Sequence, residues 1–135
     1  MRKQLTYYFL VILIQIIGIS SATIEQQLDH DFRSAAFQKR MTTAAFDILE
    51  HVLIVDDGSA MYPSDFDELR SALFVTWDKD GQQAGCVGTF DQNEKLGVNI
   101  ARMAVAAAND DRYPRLTLED MPRLKVKISL LSDFE

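Results

Sequence analysis

Apolar and polar positions divide the chain into segments of different period. Residues 5–19 are apolar except for Thr6, Gln15 and Gly18, and they follow a basic Arg2-Lys3 start. Residues 23–40 lose that character and read as a linker or a marginal helix. Beyond them, Phe46, Ile48, Leu49, Val52 and Leu53 recur at helical spacing. That stripe predicts a helix opening at Thr42 or Thr43, either of which can cap it, and ending before Gly58.

The period then changes to two. In "SALFVTWD" Leu73, Val75 and Trp77 point one way and Ala72, Phe74 and Thr76 the other. Both sets are mostly apolar, so the strand is expected to be covered on each face, with Trp77 and Phe74 in the core. Asp80-Gly81 is a hairpin signal. The return strand "QQAGCVGTF" places Ala84, Cys86, Gly88 and Phe90 on one face, and Gly85, Val87 and Thr89 on the other.

A second helix follows, with Asp91 as cap, Glu94 in capping-box position and a stripe of Leu96, Ile100, Met103, Val105 and Ala107. Thr117 caps a short turn. Finally, "LKVKISLL" alternates Leu124, Val126, Ile128 and Leu130 inward with Lys125, Lys127 and Ser129 outward. Helix, hairpin, helix and strand in that order predict an α+β layer with antiparallel pairing.

Composition narrows the chemistry. A chain of 135 residues, 47% hydrophobic and 25% charged, suits one modest domain. A single cysteine excludes an internal disulfide framework and a multi-cysteine zinc site. His30 and His51 have no ligand spacing to each other or to Cys86, so no metal is expected. From Met41 onward there are 17 acidic and 9 basic residues, which argues against nucleic acid as a partner. The cluster Arg112, Arg115, Arg123, Lys125 and Lys127 is interleaved with Asp110, Asp111, Glu119 and Asp120, and reads as a solvated mixed-charge surface.

The first 22 residues read as a secretory leader, with Ser20 and Ala22 at the −3 and −1 positions of a cleavage site. The apolar run is shorter than the roughly 20 residues of a bilayer span, so membrane contact is expected only if the leader stays as an anchor. A leader implies secretion or the ER lumen, where an unpaired Cys86 must be buried. The alternative is a domain start at Met41. The organisation expected is therefore a leader over 1–22, a linker over 23–40 and a domain over 41–135.

Three motifs carry a family resemblance: "ALFVTW" (72–77), "GCVGTF" (85–90) and "DRYP…DMPRLKVKISLLSDFE" (111–135). From about Phe46 to Glu135 they resemble the AMME chromosomal region protein family, whose hallmark reads Leu-Arg-Gly-Cys-Ile-Gly-Thr. The resemblance implies an α+β domain with a mainly antiparallel sheet and helices packed on it. It implies a nuclear and cytoplasmic setting and brings no assigned reaction or cofactor. It also makes the chain an N-terminal portion of the family domain, with a leader foreign to the family. Gln83 and Ala84 stand where the family has Leu and Arg.

Cys86 is the candidate catalytic residue, with Gly85, Gly88 and Thr89 as candidate ligand-binding neighbours. A reactive thiol needs a nearby cation. The family's arginine two residues before the cysteine lies on the same strand face, and Ala84 replaces it here. The competing reading makes Cys86 a small packed residue and its glycines packing sites. The function expected is thus a non-catalytic regulatory or protein-binding domain contacting protein partners. The alternatives are a thiol-dependent enzyme or redox accessory using Cys86, and a secreted or tethered fragment without retained family function.

Overall fold

The computed structural model describes residues 34–55 and 61–131, together with the helical positions Thr23, Gln26 and His30. The leader over 1–22 lies outside the described residues. The chain divides into two compact units, Met1–Phe37 and Gln38–Glu135, and the sheet belongs to the second.

Helix α1 spans Ala35–Val55. It opens about two turns before Thr42. Ser34 Oγ accepts the Phe37 N–H at 3.1 Å and caps it. Thr42 and Thr43, the two expected caps, both lie inside the helix, and Thr42 turns its hydroxyl back onto the Gln38 and Lys39 carbonyls. Met41, Ala45, Ile48 and Leu49 are buried, so the apolar stripe extends further back than Phe46. His51 is half-buried on this helix.

Strands β1 (Ala72–Lys79), β2 (Gln82–Thr89) and β3 (Leu124–Leu131) form an antiparallel sheet in the order β2-β1-β3. With helices packed on it, the domain is α+β. The β1–β2 turn is the one foreseen: Asp80 and Gly81 have φ of 52° and 82°, the two left-handed residues of a tight hairpin. No atom lies within 4 Å of a Cβ built on Gly81. Gly81→Ala therefore isolates the backbone cost, about 1 kcal/mol, measurable by urea denaturation. Arg123, immediately before β3, is ion-paired with Asp80 and fastens the start of β3 to the tip of the hairpin.

Helix α2 spans Leu96–Ala108. It begins later than the Asp91 cap predicts. Asp91 Oδ1 accepts the Asn93 N–H in a local turn, and Glu94 Oε1 accepts the Lys95 N–H. These local bonds compete with a helical start. Lys95 instead bridges to Arg70, and the Leu96 N–H donates to the Leu69 carbonyl. Buried Asn99 ties the loop down through its Nδ2, which donates to the Ser71 and Asp91 carbonyls. The buried stripe is Leu96, Ile100, Ala101, Ala104, Ala107 and Ala108, while Met103 and Val105 are only half-buried. Small side chains thus line the contact and bring α2 close to the sheet.

Trp77 joins the layers. It is fully buried, its Nε1–H donates to the Ala104 carbonyl of α2 at 2.9 Å, and Phe46 of α1 meets its ring edge-on at 5.1 Å. Leu73, Val75 and Trp77 therefore define a helix face of the sheet; Ala72, Phe74 and Thr76 lie on the opposite face, where Ala72 and Thr76 are also buried and Phe74 is half-buried. Between Arg112 and β3, Asp120 Oδ2 accepts both the N–H and the hydroxyl of Thr117, as the cap over 117–120 requires.

Candidate functional site

Cys86 lies opposite Thr76 in the β1–β2 ladder, and the Thr76 hydroxyl donates to its sulfur at 3.2 Å. The pair is on the face opposite the helices, with Thr76 buried and Cys86 half-buried. The expected alternation holds from Gly85 to Thr89 and breaks at Ala84. Trp77 pairs with Gly85 and Asp78 with Gln83, so Ala84 is the extra residue of a bulge. A bulge resets the period of two, and the position two before the cysteine is not its simple same-face neighbour. Ala84 is buried.

The four candidate residues do not converge. Cys86 and Gly88 share the face opposite the helices. Gly85 and Thr89 pair with Trp77 and Leu73 and belong to the helix face. Each glycine meets a wall. A Cβ on Gly85 would come within 1.9 Å of the Ala107 carbonyl oxygen in the last turn of α2. One on Gly88 would come within 2.4 Å of the Phe74 ring. Thr89 closes the strand: its hydroxyl accepts the Asp91 N–H at 3.1 Å. Among the described residues, no group of three or more His, Cys, Asp or Glu is placed to hold a metal ion.

What reaches Cys86 comes from the segment after α2. Asp110 Oδ2 accepts the Cys86 N–H at 3.0 Å, and Arg112 Nη2 donates to the Cys86 carbonyl at 2.9 Å. The two side chains also bond each other twice, Nη2 to Oδ2 at 2.7 Å and Nε to Oδ1 at 3.0 Å. Together they complete both outward backbone groups of Cys86, as a neighbouring strand would. Tyr113 adds a third tie, with its hydroxyl accepting from Gln83 Nε2 at 2.9 Å. Two motifs separate in sequence, "GCVGTF" and "DRYP", are thus one assembly along the outer edge of β2. The sequence reading places both residues in a solvated mixed-charge surface, with Arg112 also inside the "DRYP" motif; the structure corrects this for Asp110, which is buried. The one available signal was an Asp two residues before an Arg in a motif.

Charge locks this brace. The Asp110 side chain is 4% exposed and the Arg112 side chain 61%. The Arg112 hydrogen bond holds the Asp110 carboxyl far below the usual carboxylate range, helped by the Cys86 N–H and opposed by desolvation. A carboxyl depressed on folding stabilises the fold fully above its unfolded value of about 4 and loses that stabilisation as pH falls through its folded value. The wild-type stability curve should therefore fall more steeply with acid below about pH 4 than that of Asp110→Asn, read as urea midpoints at stepped pH.

The AMMECR1 family model matches residues 17–135 of this chain, beginning well before Phe46. An uncharacterised protein of Arabidopsis thaliana is 30% identical over 78 residues, covering 54% of this chain and 36% of the relative. An uncharacterised protein of Kluyveromyces lactis is 37% identical over 71 residues, covering 49% and 31% respectively. A protein of Methanococcoides burtonii is 34% identical over 74 residues, covering 54% and 36%. The chain thus spans about a third of the length of these relatives. The crystal structure of an uncharacterised Pyrococcus horikoshii protein superposes with a TM-score of 0.65 at 23% identity, over 73% of this chain and 53% of that one, a likeness of fold.

Proposed function

This chain belongs to the AMMECR1 family, and from that premise we propose that it acts as a non-catalytic domain that binds protein partners, with its "GCVGTF" strand serving as architecture. The observation that carries the reading is the brace. Both backbone polar groups of Cys86 are taken by Asp110 and Arg112, and Gly85 and Gly88 are filled against Ala107 and Phe74. The motif's residues are thereby accounted for by packing and hydrogen bonding. The margins of the face opposite the helices offer the contact surface. Phe90 is 68% exposed and meets Phe74 edge-on at 5.7 Å, while Lys125, Lys127 and Ser129 are exposed across the same face.

Proximity labelling in source cells tests this with the full chain. Phe90→Asp should lose the labelled partners, whereas Cys86→Ser should keep them. The reverse pattern would overturn the proposal. Cys86→Ala should cost under about 1 kcal/mol in urea denaturation, as for a half-buried side chain outside the core.

One observation favours the thiol reading: the Cys86 sulfur is held by a polar contact, the Thr76 hydroxyl donating to it at 3.2 Å. On that reading, the folded protein is alkylated by iodoacetamide faster than the urea-unfolded chain at the same pH. On the architectural reading it is alkylated more slowly.

A further inference from the structure

We propose that the outer edge of β3 takes up an extended acidic segment of a partner protein as an added strand. The inference rests on the protein-binding reading above and gives it a location and a partner chemistry. The two edges of the sheet are finished differently. On β2, Asp110 and Arg112 occupy the N–H and carbonyl of Cys86. On β3, no such brace exists among the described residues.

The register shows which groups are left. Arg123 accepts the Asp80 N–H with its carbonyl, and Leu131 accepts the Ser71 hydroxyl at 3.4 Å. Lys127 lies opposite Thr76, whose partner on the other side, Cys86, turns its backbone groups outward. By the alternation of an antiparallel ladder, the odd-numbered residues of β3 therefore bond to β1. Val126, Ile128 and Leu130 present their N–H and carbonyl groups outward.

Charge selects the partner. Within 61–131, Lys79, Lys95, Arg102, Arg112 and Arg123 each pair with a carboxylate. Lys125 and Lys127 are exposed and make no ion pair among the described residues, although Asp78 lies opposite Lys125 in the ladder. In a chain with a net charge of −6, two adjacent uncompensated cations on one strand face stand out. An added strand would set its side chains about 5 Å from theirs, so acidic residues at alternate positions meet both lysines. Apolar residues between them meet Val126 and Ile128. Lysines on an edge oppose pairing with a like-charged strand, including a second copy of this edge. They admit an acidic one.

The probe is the peptide Glu-Val-Glu-Val-Glu-Val-Glu added to the full chain, read by calorimetry and by amide exchange. Binding should slow exchange at Val126 and Ile128, and Lys125→Glu with Lys127→Glu should weaken it at least 10-fold, with circular dichroism unchanged. Lys125→Gln with Lys127→Gln should weaken it less. The proposal is overturned if the acidic peptide does not bind or if the Glu variant binds it equally. It is also overturned if a central proline leaves binding intact, or if the Val126 and Ile128 amides are protected by self-association instead. Failure here with the Phe90 and Cys86 labelling pattern intact would remove the β3 assignment and leave the protein-binding reading standing.

Discussion

Gly85→Ala is expected to be the most damaging single-atom-scale change in the domain. The new Cβ would sit 1.9 Å from the Ala107 carbonyl oxygen and 2.9 Å from its carbon. Both atoms are backbone in the last turn of α2, so no side-chain rotation relieves the clash. Either the helix or β2 must shift, and the Ala104 and Ala107 contacts that bring them close are lost with it. The cost should reach or exceed the upper end of the overpacking range, about 3 kcal/mol, from a total that is about 5–15 kcal/mol for an ordinary domain. Gly88→Ala should cost less. Its Cβ meets the Phe74 ring, which can turn, and the Leu73 carbonyl at 2.7 Å, which cannot. Urea denaturation of both variants orders them. A Gly85→Ala variant within about 0.5 kcal/mol of wild type would contradict the close packing of β2 under α2.

Asp110→Ala should give the next largest loss. Four hydrogen bonds end at this one carboxylate: from the Cys86 N–H, from the Arg112 N–H at 3.2 Å, and from Arg112 Nε and Nη2. Without it the Cys86 N–H loses its acceptor and Arg112 loses the partner that aims it at the Cys86 carbonyl. The thermal midpoint should fall by on the order of 5 °C. Asp111→Ala, one residue along and exposed, is the control and should change little. Equal effects of the two would mean that the brace contributes nothing to the fold.

How much of this was legible in the sequence depends on whether a feature is local. The hairpin was, because left-handed backbone at Asp80-Gly81 follows from residue type. The strand faces of β1 and β3 were, because alternation needs only neighbours. Thr117 as a cap was, because its partner Asp120 is three residues away. Helix starts were not. Ser, Thr and Asp bond to whichever backbone group is nearest, and Thr42 and Asp91 used theirs in ways that do not open a helix. The Ala84 bulge was invisible, since only the register with β1 reveals it.

The candidate site shows the same division. The sequence located Cys86 and asked which cation serves it, looking along the strand because that is where period-two reasoning can look. The cation came from 26 residues away, and Arg112 bonds to the backbone carbonyl of Cys86. Gly85 and Gly88 read equally as ligand clearance or as packing until the atoms facing them were placed.

The central claim is that Asp110 and Arg112 hold Cys86 by its backbone and make the family motif a structural edge. The Cys86 amide tests it most directly. It faces outward from β2, away from β1, and Asp110 is its acceptor. Hydrogen exchange in the wild type should show the Cys86 amide protected to a degree similar to Val87, which pairs inward with Val75. In Asp110→Ala the Cys86 amide should exchange much faster while Val87 stays protected. A Cys86 amide that exchanges freely in the wild type, or equally slowly in both proteins, would contradict the account.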